Sequence, residues 1–367
     1  MTTYLLAGGG TAGHVNPLLA TAERLRSTRA DAEVLVLGCA HGLESRLVPV
    51  RGFELLTIDR VPFPRRPDAA ALRFPVRFRR AVRQAESYLR AREVDVLCGF
   101  GGYASTPAYV AAHRMGLPFV VHEANARPGL ANRLGARWAD RVAVTFPGTP
   151  LRGAQVTGMP LRPQIEQLNR VSARAEAVRF FGLEEGRPTL LVTGGSLGAA
   201  TLNRTFVEAA AALTEAGWQV VHIGGDRLDV EDPGVPGYHL VGYCDRMELA
   251  LAAADFAVSR SGASTVSELS ALGIPAIYVP YPHGNGEQAL NASAAVEAGA
   301  ARLVTDAEVT PHWASTSLLE LLNGPDREAL SEGARRAAIR DGSARLADLI
   351  DEARDARRPE PGQEERA

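Results

Sequence analysis

The sequence predicts an α/β protein built from two Rossmann-like domains, each with a doubly wound parallel sheet. Short runs rich in valine, leucine and isoleucine alternate with longer amphipathic stretches rich in alanine and arginine, as expected for parallel strands joined by helices. The alternation occurs in two series, and 367 residues suffice for two domains. Because open α/β sheets bind ligands beyond the carboxyl ends of their strands, we expect the domains to face each other across a cleft.

Ten apolar runs are predicted to be buried strands, because strands covered on both faces are continuously hydrophobic. The runs of the first series begin at Tyr4, Glu33, Val94, Pro118 and Arg141. Those of the second series begin at Pro188, Trp218, Gly237, Ala254 and Pro275. Helical periodicity is clear in residues 17–28 and 104–115.

The domain boundaries are predicted from interruptions of this pattern. Residues 156–165 contain two prolines and a glycine between the two series, which indicates a linker. We therefore expect a first domain at 1–158 and a second at 164–341. A C-terminal helix at 342–357 is expected to pack on the first domain, and the charged residues 358–367 are expected to form a disordered tail.

Composition argues against several functions and suggests a compartment. The formal net charge of −2 argues against general nucleic-acid binding, and all 40 basic residues counted as lysine or arginine are arginine. Without lysine the chain has no P-loop lysine and no Schiff base for pyridoxal chemistry. The three cysteines lie far apart in apolar runs, no run approaches the ~18 apolar residues of a transmembrane helix, and the first residues lack signal-peptide features. These features predict a cytoplasmic protein with reduced thiols.

Two glycine-rich turns, at residues 8–14 and 194–199, each follow a predicted strand and precede a helix, the first helix beginning near Pro17. Such turns present backbone N–H groups and a positive helix end, and they suit phosphate groups. Gly8, Gly10 and Gly13 also match the nicotinamide- and flavin-binding pattern, so a dehydrogenase or a non-catalytic nucleotide-binding module stays possible. Against a dehydrogenase, the second strand ends at residues 38–41 without a carboxylate for the ribose.

A third candidate region covers residues 259–291. A glycine-containing turn at 260–263 leads into a helix that carries Glu268, whose carboxylate suits ribose hydroxyls but also suits simple helix-dipole compensation. Residues 284–291 form a polar, glycine-punctuated turn whose amide side chains suit sugar hydroxyls, although solvated loops look similar.

Six motifs of this chain, in order, resemble those of the MurG family of glycosyltransferases: LLAGGGTAGHVNPLLATAERL, GFGGYASTP, HEANARPGLANRL, VTGMPLR, LLVTGGSLGAATLN and SRSGASTVSELSALGIPAIYVPYPHGNGEQALNA. The resemblance implies the GT-B fold and an inverting transfer of N-acetylglucosamine from its uridine-diphosphate sugar to lipid I, which gives lipid II for peptidoglycan. It implies no cofactor and no metal, and the sequence contains no Asp-x-Asp. Another GT-B enzyme, such as a natural-product glycosyltransferase or a UDP-N-acetylglucosamine epimerase, remains the alternative.

The resemblance also implies residue roles. On the donor side, Arg162 and Ser196 would contact the diphosphate and Glu268 the ribose. Tyr243 and Cys244 would frame the uracil, and Glu287 and Gln288 would hold the sugar. On the acceptor side, the cleft would be lined by Thr11, Gly13, Tyr103, Asn125 and Asn203. The chain departs from the family pattern at Ala12, Ala124, Leu197 and Glu287.

His14 is the expected general base for the acceptor hydroxyl, because histidine side chains exchange protons readily near neutral pH. Glu123 is the competing base, and His14 would then only bind the acceptor diphosphate.

Residues 61–83 interleave apolar side chains with arginines, which suits an anionic membrane surface. We therefore expect a peripheral protein on the cytoplasmic face of the membrane, with contacts to other cell-wall synthesis proteins also open.

Overall fold

The computed structural model of the protein describes residues 1–64, 66, 69–283, 285–336 and 339–357. The tail predicted at 358–367 lies outside these residues. The chain divides into two compact units, unit 1 from Met1 to Arg162 together with the segment from Asp341, and unit 2 from Pro163 to Arg340. Unit 2 thus begins and ends one residue before the predicted range 164–341, and Asp341 belongs to unit 1.

Unit 1 contains, within its described residues, a parallel sheet of seven strands in the order β3-β2-β1-β4-β5-β6-β7. The chain adds strands outward from β1 to β3 and then returns to the other side of β1 at β4. The position between β1 and β4 is therefore the topological switch point of this sheet. The strands are Thr2–Ala7, Ala32–Cys39, Glu54–Ile58, Val96–Gly99, Phe119–Glu123, Arg141–Val144 and Ala154–Val156 (β1 to β7).

Six helices of unit 1 cover the two faces of this sheet in its described part. They are α1 (Ala12–Thr28), α2 (Leu43–Val50), α3 (Ala69–Ala91), α4 (Ser105–Met115), α5 (Leu130–Gly135) and α16 (Gly342–Asp355). The predicted start of the first helix near Pro17 is wrong. The extended backbone of Thr11 (φ −128°, ψ 157°) ends the glycine turn, so the helix begins at Ala12 and continues through the proline.

The C-terminal helix α16 completes the core of unit 1. Leu346 and Ile350 are fully buried in the cluster that α1 and one face of the sheet also form. The Tyr4 hydroxyl donates a hydrogen bond to Asp351 at 2.6 Å, and Arg29 pairs with the same carboxylate at 2.8 Å. The first unit therefore depends on both ends of the chain.

Unit 2 repeats the architecture with, in its described residues, a six-stranded parallel sheet in the order β10-β9-β8-β11-β12-β13. Its switch point lies between β8 and β11. The strands are Thr189–Thr193, Gln219–Ile223, Tyr238–Val241, Phe256–Ser259, Ala276–Tyr278 and Ala301–Leu303 (β8 to β13). The helices are Pro163–Glu166, Arg170–Phe181, Ala200–Glu208, Ala210–Glu215, Met247–Ala253, Ala263–Ala271, Glu287–Glu297, Pro311–Ser315, Ser317–Asn323 and Asp326–Arg336 (α6 to α15).

These sheets confirm the predicted pair of Rossmann-like domains and all ten predicted strands. Three further strands, β3, β7 and β13, were not predicted. No helix within the described residues is long and apolar enough to span a bilayer.

Candidate active site

Two glycine turns meet at the switch point of unit 1, where β1 and β4 end. Gly8 to Gly10 follow β1, and Gly101 and Gly102 follow β4. A Cβ on Gly102 would lie 2.3 Å from the carbonyl oxygen of Gly9, and Gly102 has a φ of +85°, so only glycine fits there. The two turns consequently touch through their backbones.

His14 lies in the first turn of α1 above these turns. Its Nδ1 lies 3.2 Å from the carbonyl oxygen of Gly9 and 3.1 Å from the hydroxyl of Thr11. A carbonyl oxygen only accepts hydrogen bonds, so the neutral ring bonded to it carries its proton on Nδ1. The other nitrogen, Nε2, then carries the lone pair. It lies close to the turn after β4, because a Cβ built on Gly101 would be 3.1 Å from it.

Tyr103 and Arg60 border the same turn. Tyr103 lies beside Gly10, where an added Cβ would be 3.9 Å from its ring. The guanidinium of Arg60 lies 4.4 Å from the centre of that ring, a cation–π distance. Tyr103, predicted to face the acceptor, is thus next to the loop that carries Thr11, Gly13 and His14.

Glu123, the competing base, is almost completely buried and holds the loop that follows β5. Its Oε1 accepts hydrogen bonds from the backbone and side-chain nitrogens of Asn125, at 2.9 and 3.4 Å. Its Oε2 accepts from the backbone of Gly129 at 3.0 Å and from Asn132 at 2.9 Å. Because both oxygens already accept two hydrogen bonds, the geometry favours a loop-anchoring role over proton abstraction from a substrate.

The sequence interpretation missed Asn132, although it lies inside one of the quoted motifs. This buried side chain also donates to the carbonyl oxygen of His122 at 3.0 Å and accepts from the Tyr109 hydroxyl at 2.8 Å. His122, on the opposite face of β5 from Glu123, packs against Phe100 with ring centres 5.4 Å apart, and burial lowers its pKa to about 4. Asn132 therefore links Glu123, His122 and Tyr109 in one buried polar network.

Glu44, at the start of α2, is a second residue that the sequence interpretation missed. It is 2% exposed, and its Oε2 accepts a hydrogen bond from the backbone N–H of Gly10 at 2.9 Å. Burial, and secondarily the charge of Glu44, raises the pKa of the Cys39 thiol to about 11. The N–H of Gly10 is thus bonded within the protein, while the phosphate-binding role of the first glycine turn stays a prediction. The adjacent N-terminus of α1, which has no side-chain cap, is the better anion-binding element.

In unit 2, three neighbouring strands lead into helices; the N-cap residues of α8 and α11 make no side-chain cap bond, and at the start of α12 the N–H of Glu287 donates to Asn285 at 3.1 Å. The helices α8, α11 and α12 follow β8, β11 and β12, which lie side by side in the sheet. Their positive ends therefore gather at the carboxyl edge of the sheet, at and beside the switch point. This arrangement suits a nucleoside diphosphate.

Ser196 is exposed in the loop between β8 and α8. Its carbonyl oxygen accepts a hydrogen bond from the backbone of Asp226 at 2.9 Å. A Cβ on Gly198 would lie 2.1 Å from the carbonyl oxygen of Gly224, so this loop packs directly on the loop after β9. The helix α8 begins at Ala200, and the loop from Gly194 to Ala199 separates it from the strand, as the position of the glycine turn indicated.

Asn203 was predicted to contact the acceptor, and its position in the interior of unit 2 contradicts this. The residue is 0% exposed. Its side-chain nitrogen donates to the carbonyl oxygen of Gly224 at 3.2 Å, and its oxygen lies 3.2 Å from Nε2 of His222. Asn203 therefore supports the glycine loops from below and does not reach a substrate.

The other predicted donor residues lie at the same edge of unit 2 or at its border. Glu268 is half-buried in α11, and Glu287 and Gln288 begin α12. The Gln288 oxygen accepts a hydrogen bond from the backbone of Tyr281 at 2.9 Å, which orients its amide group. Tyr243 is exposed and Cys244 half-buried after β10, and burial raises the pKa of the Cys244 thiol. Arg162 is the last residue of the first segment of unit 1.

Arg260, at the end of β11, is buried rather than directed at a ligand. It donates to the carbonyl oxygen of Val279 at 3.1 Å and pairs with Asp306 at 2.5 Å. The arginine therefore fixes the end of β12, from which the loop before α12 departs.

Within the described residues, no cluster of three or more His, Cys, Asp or Glu side chains could hold a metal ion.

The surface of α3 and the loop before it combines exposed apolar and cationic side chains. Phe63, Phe74 and Phe78 form a ring cluster with centres 5.3 to 6.4 Å apart, and Leu72 and Val76 are 84% and 71% exposed. Arginines surround them at positions 66, 73, 77, 79, 80 and 83; Arg65 lies outside the described residues. We call these apolar residues and described arginines the α3 patch.

Family models match both units. The glycosyltransferase family 28 N-terminal domain matches residues 4–144, and the family 28 C-terminal domain matches residues 189–350. A protein of Leifsonia xyli is 60% identical over 353 residues, which cover 95% of this chain and 98% of the relative. A protein of Clavibacter michiganensis is 58% identical over 363 residues, which cover 98% and 99%.

Both relatives are named UDP-N-acetylglucosamine–N-acetylmuramyl-(pentapeptide) pyrophosphoryl-undecaprenol N-acetylglucosamine transferase. The crystal structure of MurG from Acinetobacter baumannii superimposes with a TM-score of 0.76 at 27% identity, covering 96% of this chain and all of that one. These matches confirm the resemblance drawn from the motifs. The chain belongs to the family 28 glycosyltransferases and, within them, to the MurG family.

Proposed function

We propose that the protein transfers N-acetylglucosamine from UDP-N-acetylglucosamine to the 4-hydroxyl of N-acetylmuramic acid in lipid I, forming lipid II. The observation that carries this proposal is the match, over nearly the whole chain, to transferases of that name at 58 to 60% identity. The reaction makes one glycosidic bond at the anomeric carbon, breaks its bond to the diphosphate, and releases UDP.

The donor binds to unit 2. The N-termini of α8, α11 and α12 support this assignment, because their dipoles offset the negative charge of a diphosphate without lysine or metal. Ser196 contacts the diphosphate, Arg162 assists it as it leaves, and Glu268 binds the ribose. Tyr243 and Cys244 frame the uracil, and Gln288 with Glu287 binds the sugar hydroxyls.

The acceptor binds to unit 1, and His14 is the general base. The geometry that supports this role is the contact of Nδ1 with Gly9, which leaves Nε2 to take the proton of the acceptor hydroxyl. Glu123 anchors the loop that carries Asn125, so it acts by shaping the site. Thr11, Gly13 and Tyr103 line the same site, and the uncapped end of α1 suits the acceptor diphosphate.

The α3 patch is the proposed membrane contact. Lipid I carries its sugar on a polyprenyl chain, so the enzyme must work at the cytoplasmic face of the bilayer. The exposed Leu72 and Val76 suit the acyl boundary, and each arginine near anionic headgroups contributes about 1 kcal/mol. Contacts with other cell-wall synthesis proteins are a further expectation of this location.

The direct test is to incubate the purified protein with radiolabelled UDP-N-acetylglucosamine and lipid I and to follow the label. We expect label in the lipid phase and one UDP released for each sugar transferred. Release of free sugar without labelled lipid, or interconversion of the nucleotide sugar, would overturn the proposal in favour of a hydrolase or of an epimerase. Transfer to a different acceptor only would favour a natural-product glycosyltransferase.

A further inference from the structure

We infer that Glu44 is a positioning residue for His14, acting through the single peptide group that joins Gly9 to Gly10. This inference rests on the proposed role of His14 as the general base. Glu44 itself touches neither substrate, because it is buried beneath the turn.

The carboxylate of Glu44 is held by backbone donors. Its Oε2 accepts from the N–H of Gly10 at 2.9 Å and its Oε1 from the N–H of Cys39 at 3.3 Å. A buried carboxylate is costly unless it is hydrogen-bonded, and hydrogen bonds to a charged acceptor are about twice as strong as neutral ones. These bonds therefore fix the turn relative to the end of β2.

The turn is built around this carboxylate. A Cβ on Gly9 would lie 2.3 Å from Oε1, and a Cβ on Gly42 would lie 2.5 Å from Oε2. Both glycines have backbone conformations that other residues rarely adopt, with φ of +155° and +140°. Glu44 thus fills the space that side chains would otherwise take.

The link to His14 is direct. The N–H of Gly10 and the carbonyl of Gly9 belong to the same planar peptide group and point in opposite directions. Glu44 holds the N–H, and Nδ1 of His14 contacts the carbonyl oxygen at 3.2 Å. A negative charge on the N–H side also polarises the peptide, which makes the carbonyl a better acceptor for Nδ1–H. Glu44 therefore sets both the ring orientation of His14 and the nitrogen that carries its proton.

The experiment measures kcat and KM of the full-length protein with lipid I and UDP-N-acetylglucosamine. We expect Glu44→Ala to lower kcat by about 10- to 100-fold, the usual effect of a small displacement of a catalytic group. Glu44→Gln keeps one acceptor oxygen but turns an NH₂ group toward a backbone N–H. We therefore expect it to lower kcat, but by less than Glu44→Ala does. The KM for the donor should change less than about twofold, because the donor binds to unit 2.

The matched control is Glu23→Gln. Glu23 lies later in α1 and is partly buried, with 16% of its side chain exposed, but it pairs with Arg51 at 2.5 Å, away from the turn. We expect this variant to keep the wild-type kcat. Thermal unfolding of each variant separates loss of fold from loss of rate.

Two readouts distinguish positioning from a general structural role. In a His14→Ala background, Glu44→Gln should lower kcat no further, because groups that act as a unit are not additive. The ¹⁵N chemical shifts of the His14 ring should show a proton on Nδ1 in the wild type and a mixture of tautomers in Glu44→Gln, independently of activity.

An unchanged kcat in both Glu44 variants, or an equal loss of rate in the His14→Ala background, would overturn the inference while leaving His14 as the base. Full activity of His14→Ala would instead remove the base assignment on which the inference rests. A wild-type ¹⁵N pattern of the His14 ring in Glu44→Gln would also count against the positioning role of Glu44.

Discussion

The side-chain nitrogen of Asn132 donates a hydrogen bond to Oε2 of Glu123 across 2.9 Å, in the interior of unit 1. The same amide bonds the Tyr109 hydroxyl at 2.8 Å and thereby ties α5 to α4 and β5. The loop that carries Asn125 thus depends on a residue that is itself buried.

Replacing Asn132 with alanine should destabilise the protein, because it leaves the buried Tyr109 hydroxyl without its partner and Glu123 with one donor fewer. We expect the free energy of unfolding to fall by about 1–3 kcal/mol, measured by urea denaturation. The exposed Gln155 provides the control, and Gln155→Ala should be within about 0.5 kcal/mol of wild type. Equal free energies of unfolding of the two variants would show that the stability of the protein does not depend on the Asn132 network.

Replacing His14 with alanine should lower kcat by about 100- to 10,000-fold, the usual contribution of a general base. UDP binding, measured by calorimetry, should persist, since the proposed donor residues lie in other segments of the chain. His312→Ala, at an exposed position of α13, is the control and should retain full activity. Normal turnover of His14→Ala would exclude the residue from the chemistry.

Neutralising Arg73, Arg79 and Arg83 together with glutamine should weaken binding to anionic vesicles. At about 1 kcal/mol for each arginine, the loss should be about 100-fold at low salt and smaller at high salt. The matched control replaces Arg133, Arg137 and Arg152, which are exposed elsewhere on unit 1. If both triple variants lose affinity equally in a vesicle sedimentation assay, binding depends on total charge and not on the α3 patch.

Stability should fall as the pH decreases from about 6.5 toward 4. Burial lowers the pKa of His122 to about 4, so between these values the unfolded chain binds a proton that the folded chain does not. The loss for this residue should reach about 3 kcal/mol near pH 4. His122→Phe should reduce the slope of the unfolding free energy against pH between pH 7 and 5, and His222, whose pKa burial also lowers to about 4, should keep its own contribution. An unchanged slope would assign the pH dependence to groups other than His122.

Most strands that the sequence predicted are buried along their whole length, because full burial requires continuous apolar runs; the edge strand β10 is partly exposed and was still predicted. The three missed strands, β3, β7 and β13, lie at the edges of their sheets. β7 and β13 have three residues each, and Val156 and Leu303 in them are exposed, so no apolar run marks them. Their pairing depends on the neighbouring strand, which a local pattern does not show.

Local motifs were enough to propose His14, Ser196 and Glu268 as site residues, and their roles stay predictions. The site was not predictable where the role depends on a distant contact. Glu44 is 34 residues from Gly10 in sequence, and only the fold brings its carboxylate to that backbone. Asn203 is the opposite case. Its motif suggested that it contacts the acceptor, but the residue is completely buried and supports the neighbouring loops.

The packing of α16 on unit 1 has a consequence for synthesis on the ribosome. Unit 2 is one continuous segment and can fold once its last residue has emerged. Unit 1 is encoded first, yet its hydrophobic core lacks Leu346, Leu349 and Ile350 until the final helix leaves the exit tunnel. The core of unit 1 therefore stays incomplete, with part of its sheet uncovered, until the segment that follows unit 2 has been synthesised.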